Sequence, residues 1–111
     1  MSLYEERAAR NEALFREVNE EVERLSDRHE TTAGEPLRLV CECANDQCSE
    51  TIAVPPEVYE QVRANPRQFL VRPGHETSAV ERMFALTAEY AIVEKDTPTT
   101  ARIAERHDPR A

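Results

Sequence analysis

The stretch that decides the fold is residues 37–54, LRLVCECANDQCSETIAV. Leu37 to Val40 reads as a short strand running into Cys41, and Glu50 to Val54 alternates as a second strand. Paired as a hairpin, they carry Cys41-Glu42-Cys43-Ala44-Asn45-Asp46-Gln47-Cys48 at the tip. All three cysteines of this 111-residue chain fall inside that loop. An odd number cannot pair completely within one chain, so a reducing compartment and a metal site suit the count better than a disulfide framework.

Thiolates are strong ligands for a tetrahedral zinc ion. Asn45 and Asp46 supply residues that let a loop reverse. Cys41 and Cys43 share strand parity and can face one side. The spacing is C-x-C-x4-C, less specific than the usual C-x2-C knuckle. A fourth ligand must come from the three histidines. His29 sits at the end of a helical segment before a linker, and His107 sits in the tail. His75 follows a strand and the Pro73-Gly74 turn, which holds a side chain at a loop tip. The expected site is Cys3His: Cys41, Cys43, Cys48 and His75 around one structural zinc. Glu76 reads as a solvated acid rather than an acceptor for His75. The alternatives are a redox-active or disulfide-forming trio and inert buried thiols.

Outward from the loop, residues 3–28 read as one long amphipathic helix. Leu14, Phe15, Val18, Val22 and Leu25 fall on one stripe, expected to pack on the core. Glu12–Arg16 and Glu20–Arg24 offer acid-before-base pairs on the other face. Ser2 and Glu5 fit a capping box. Residues 29–36, HETTAGEP, read as a linker. Pro55-Pro56-Glu57 starts a crossing helix with Val58, Tyr59 and Val62 inward, and Asn65-Pro66 ends it. Phe69 to Val71 is a third strand. Val80 to Leu86 and Tyr90 to Glu94 form a hairpin around Thr87-Ala88-Glu89, although Ser78-x-x-Glu81 also fits a short helix cap. Pro98 to Arg106 is a final helix, and the tail HDPRA is expected to fray.

The expected fold is α+β: an N-terminal amphipathic helix (1–30), then a zinc-stabilised domain (37–106). The latter holds a small, mostly antiparallel sheet, the crossing helix and a zinc-ribbon-like hairpin.

The formal charge of −8, with basic residues interleaved among acids, repels phosphate backbones, so direct nucleic-acid binding is disfavoured. No apolar run approaches 18 residues and no charged-then-apolar leader is seen, so neither a membrane span nor a secretory signal is expected, and the cytoplasm is the default. There is no H-E-x-x-H helix, Gly-rich phosphate loop or G-x-S-x-G elbow. His75-Glu76 invites a zinc hydrolase, yet three thiolates reduce the power of zinc to acidify water. A binding or regulatory module is the preferred reading, with a zinc–thiol redox switch as the alternative. Its contact element would be the first helix, meeting a protein partner or a second copy through Leu3, Tyr4, Leu14 and Val18.

NEALFREVNEEVE (11–23), CECANDQC (41–48), YEQVRANPRQFLVRPGHE (59–76) and YAIVEK (90–95), in that order, resemble a family of small, uncharacterised bacterial proteins found mainly in actinobacteria. The resemblance runs from about residue 11 to residue 108. It implies a zinc-ribbon-like site and a bacterial cytosolic origin, and no established activity.

Overall fold

The structure, a computed structural model, describes residues 3–28, 35–43, 45, 47–76 and 81–110. Side chains are described from residue 10 to residue 25 of the first helix. The Ser2 cap, most of the 29–36 linker and the Ser78 cap lie outside the described residues. The fold is α+β. In chain order the elements are α1 (Leu3–Arg28), β1 (Leu37–Val40), β2 (Thr51–Val54), α2 (Pro56–Arg63), β3 (Gln68–Val71), β4 (Glu81–Leu86), β5 (Ala91–Lys95) and α3 (Pro98–Arg106).

The strands form two antiparallel sheets, matching the expected hairpin and the small sheet beside it. One is the hairpin β1–β2, with Leu37 opposite Val54 and Leu39 opposite Ile52. The other runs β3–β5–β4. A backbone bond, Glu42 N–H to Leu70 C=O at 2.8 Å, brings the cysteine loop alongside β3. Residues Leu37, Leu39, Ile52 and Val54 of the hairpin pack with Tyr59 and Val62 of α2 and with Leu70 and Ile92. Cys41 and Cys43 pack with Phe69, Val71, Ala91, Val93 and Ala104. Thus Cys41 and Cys43 belong to the core, and Cys48 packs against it from a half-buried position.

The crossing helix begins after Pro55, with Pro56 at its start and Glu57 in its first turn, where an acid suits the helix dipole. In α3, Thr97 caps the start by accepting from the Thr100 N–H at 3.2 Å.

The first helix departs from its expected orientation. Leu14, Val18 and Leu25 are exposed, whereas Glu12, Ala13, Arg16, Asn19 and Glu20 are buried. Val22 still packs against the core from a half-buried position. Positions 12, 16, 19 and 20 also repeat with helical spacing, so the inward stripe is a real helix face made largely of polar residues. The buried polar side chains there find directional partners, although the Nε of Arg16 has none among the described residues. Glu12 bonds the Lys95 ammonium at 2.6 Å, in place of Arg16. Arg16 donates to the carbonyls of Pro66, Ala104 and His107 at 2.7, 2.8 and 2.7 Å. It also lies over the Phe69 ring, 4.6 Å from its centroid. Arg24 pairs with Glu21 rather than Glu20.

The tail is likewise docked where fraying was expected. Arg110 donates to Glu20 and to both carboxylate oxygens of Glu60, the latter at 2.7 and 3.1 Å. Tyr59 completes this cluster by donating to Glu20 Oε2 at 3.2 Å.

Candidate metal centre

Three local devices build the site. First, the hairpin pairing continues one step past β1, because the Cys41 N–H donates to the Glu50 carbonyl at 3.1 Å. Second, Asn45 turns the loop: its side-chain oxygen accepts from the Gln47 N–H at 2.9 Å, and its carbonyl accepts from the Cys48 N–H at 3.1 Å. Third, Arg72-Pro73-Gly74-His75 closes as a turn, with the His75 N–H donating to the Arg72 carbonyl at 3.0 Å. Gly74 has φ +94° there, a left-handed conformation that glycine adopts without penalty.

Together these bring four donor atoms within 4.8 Å of one another: the sulfurs of Cys41, Cys43 and Cys48, and a ring nitrogen of His75. His75 Nδ1 lies 3.6 Å from both Cys41 Sγ and Cys48 Sγ. In a tetrahedral zinc site with ordinary Zn–S and Zn–N bonds, the S···N edge is about 3.6 Å. The residues present therefore fit a divalent metal, and one nitrogen with three sulfurs is a donor set that suits zinc.

The electrostatics show what a metal would have to overcome. Cys41 and Cys43 are buried, and Cys48 and His75 are half-buried. Burial pushes the Cys41 and Cys43 thiols up from their ordinary range, which opposes free thiolates. For Cys41 the Arg72 backbone N–H, 3.2 Å from the sulfur, pulls the other way. A bound cation would supply the missing charge, and binding would release protons. Glu76 is exposed and accepts from the Gly74 N–H at 3.0 Å, so it props the turn beneath His75.

The ligand set expected from the sequence is thus brought together. His107 lies elsewhere, at the end of α3, and His29 is outside the described residues. Among the expected contact residues, Leu14 and Val18 are exposed on α1, whereas the side chains of Leu3 and Tyr4 are outside the described ones.

Sequence reasoning missed Glu42, the residue between the first two cysteines. It is fully buried. Arg63 meets it with two bonds, at 2.8 and 3.0 Å. Asn19 donates to it at 2.7 Å and the Leu70 N–H at 2.9 Å. The signal was present: if Cys41 and Cys43 face the metal, alternation turns Glu42 inward, where a carboxylate needs a cation.

No family model, curated protein or solved structure matches the chain. Fold and site define a small α+β protein with a Cys3His group able to hold a metal ion. No described helix is long and apolar enough to cross a membrane.

Proposed function

We propose that the chain is a small zinc-stapled interaction module of a reducing compartment, such as the bacterial cytosol. Cys41, Cys43, Cys48 and His75 hold one structural zinc, and the outer face of α1 meets a protein partner or a second copy. The observation that carries the reading is the convergence of the four donor atoms within 4.8 Å. Zinc held there supplies a cross-link between the hairpin and the β3 side of the fold. Four protein donors leave no open position for a substrate or activated water, which speaks against a zinc hydrolase. A zinc–thiol switch would need sulfur that an oxidant can reach, and the burial of Cys41 and Cys43 works against it.

The interaction surface is the outer side of α1, which spends its polar face on the fold and leaves Leu14, Val18 and Leu25 outside. Elemental analysis and native mass spectrometry of the purified protein test the metal: one zinc per chain is expected, and a metal-free native mass under zinc-replete conditions contradicts it. The contact face is tested with Leu14→Glu/Val18→Glu. This double variant should keep zinc and fold, yet lose the stoichiometric partner, or the self-association, seen with the wild type. An unchanged set of contacts contradicts the assignment.

A further inference from the structure

Glu42 stands between two of the four ligands but points the opposite way, and each of its partners belongs to a different element. Oε1 accepts from the Leu70 N–H of β3 at 2.9 Å and from Arg63 Nη2 of α2 at 3.0 Å. Oε2 accepts from Arg63 Nη1 at 2.8 Å and from Asn19 Nδ2 of α1 at 2.7 Å. Asn19 does more. Its amide donates to the Val40 carbonyl at 2.8 Å, and its Oδ1 accepts from the Val40 N–H at 2.8 Å. The peptide segment Val40–Cys43 is therefore fastened to α1 by three bonds from one side chain.

We propose that metal binding at the Cys3His group and docking of α1 are coupled through Glu42, with Asn19 carrying the coupling into the helix. The proposal rests on the zinc reading above. A buried carboxylate that loses its partners becomes an uncompensated charge, so Glu42 tolerates little displacement. Cys41 and Cys43 are its chain neighbours, and fixing their sulfurs on a metal fixes the backbone that aims Glu42 at Asn19 and Arg63. When the metal leaves, that backbone is free to move, and Glu42 moves with it. The coupling is reciprocal: whatever holds Glu42 against α1 also preorganises the two cysteines.

The rest of α1 suits such a role. Glu12, Arg16 and Glu20 dock by directional bonds rather than by a broad apolar surface. Polar groups released from such contacts recover hydrogen bonds to water. Zinc occupancy thereby sets how firmly α1 is held against the core, making the helix the element that responds to the metal.

Zinc itself is the probe. Stoichiometry is measured first. Amide exchange across residues 16–25 of α1 is then compared with and without a chelator, and zinc affinity is compared between wild type and Asn19→Ala. Zinc removal should speed exchange in that segment tenfold or more, and Asn19→Ala, which touches no ligand, should bind zinc about tenfold more weakly. Thr97→Ala, which removes the α3 cap, should lower the melting temperature without changing zinc affinity. The coupling is overturned, with the zinc reading intact, by any one of three results: equal α1 exchange in both states, unchanged affinity in Asn19→Ala, or an equal loss in Thr97→Ala. If Asn19→Ala does not fold, the wild-type exchange comparison decides alone, with the change in α1 judged against that in α3 so that global destabilisation cancels. A chain that binds no zinc overturns both, and stoichiometry reveals that before either comparison.

Discussion

Glu42 and Arg63 exchange two hydrogen bonds with both side chains almost completely buried. Removing one member of such a pair strands a charge in the interior. Arg63→Ala should therefore cost about 3–5 kcal/mol in chemical denaturation, far more than a surface pair. Arg24→Ala, at the exposed Glu21 pair, should cost less than about 1 kcal/mol. A second buried cluster has a different character. Lys95 bonds Glu12 at 2.6 Å and Glu81 at 2.8 Å, so one cation serves two carboxylates. Burial lifts the Glu12 carboxyl from 4.5 to about 7, although Lys95 pulls it down. The folded state thus holds this proton more tightly than the unfolded chain. Its stabilising contribution is fully present below about 4.5 and is lost as pH rises through about 7. With zinc saturating, raising the pH from about 5.5 to 8 should cost the wild type about 2 kcal/mol more than Glu12→Gln. Parallel pH–stability curves for the two proteins would contradict that assignment.

At the scale of elements, α1 is where hydropathy misled. Leu14, Val18 and Leu25 make a correct amphipathic pattern, yet they face outward. The inward face is chosen by partners remote in sequence: Arg16 bonds residues 50, 88 and 91 positions away, and Asn19 bonds Val40, 21 away. Periodicity reports which residues share a face; it does not report which face has hydrogen-bond partners waiting. The same limit hid the docked tail, since nothing in HDPRA announces that Arg110 will clamp Glu20 and Glu60. Elements with local signals were legible. Thr97-Pro98 marks the start of α3, and Pro55-Pro56 that of α2. The four clustered donors were legible because thiols so close together have few uses, and because Pro73-Gly74 presents His75. The orientation of α1 is testable by substitution. Leu14→Ser and Val18→Ser should each change stability by no more than about 0.5 kcal/mol. Arg16→Leu, which leaves three carbonyls short of a partner, should cost on the order of 3 kcal/mol. A thermal scan giving the reverse order would return the apolar stripe to the core.

For the whole molecule, the Cys3His group lies where the hairpin meets the β3 side of the second sheet. Cys41, Cys43 and Cys48 come from the β1–β2 hairpin, and His75 follows β3. Among the described residues, the apolar core beneath is built mainly of Val, Leu, Ile and Ala, with Tyr59 fully buried, and a chain this small gains much from a cross-link. A metal bound only in the folded state adds its binding energy to folding. The most direct measurement is thermal unfolding of the purified, zinc-replete protein with and without a strong chelator, beside Cys48→Ser. A zinc staple predicts that chelation and Cys48→Ser each lower the melting temperature by more than about 10 °C, and that zinc restores only the wild type. Equal melting temperatures in all of these states would contradict it.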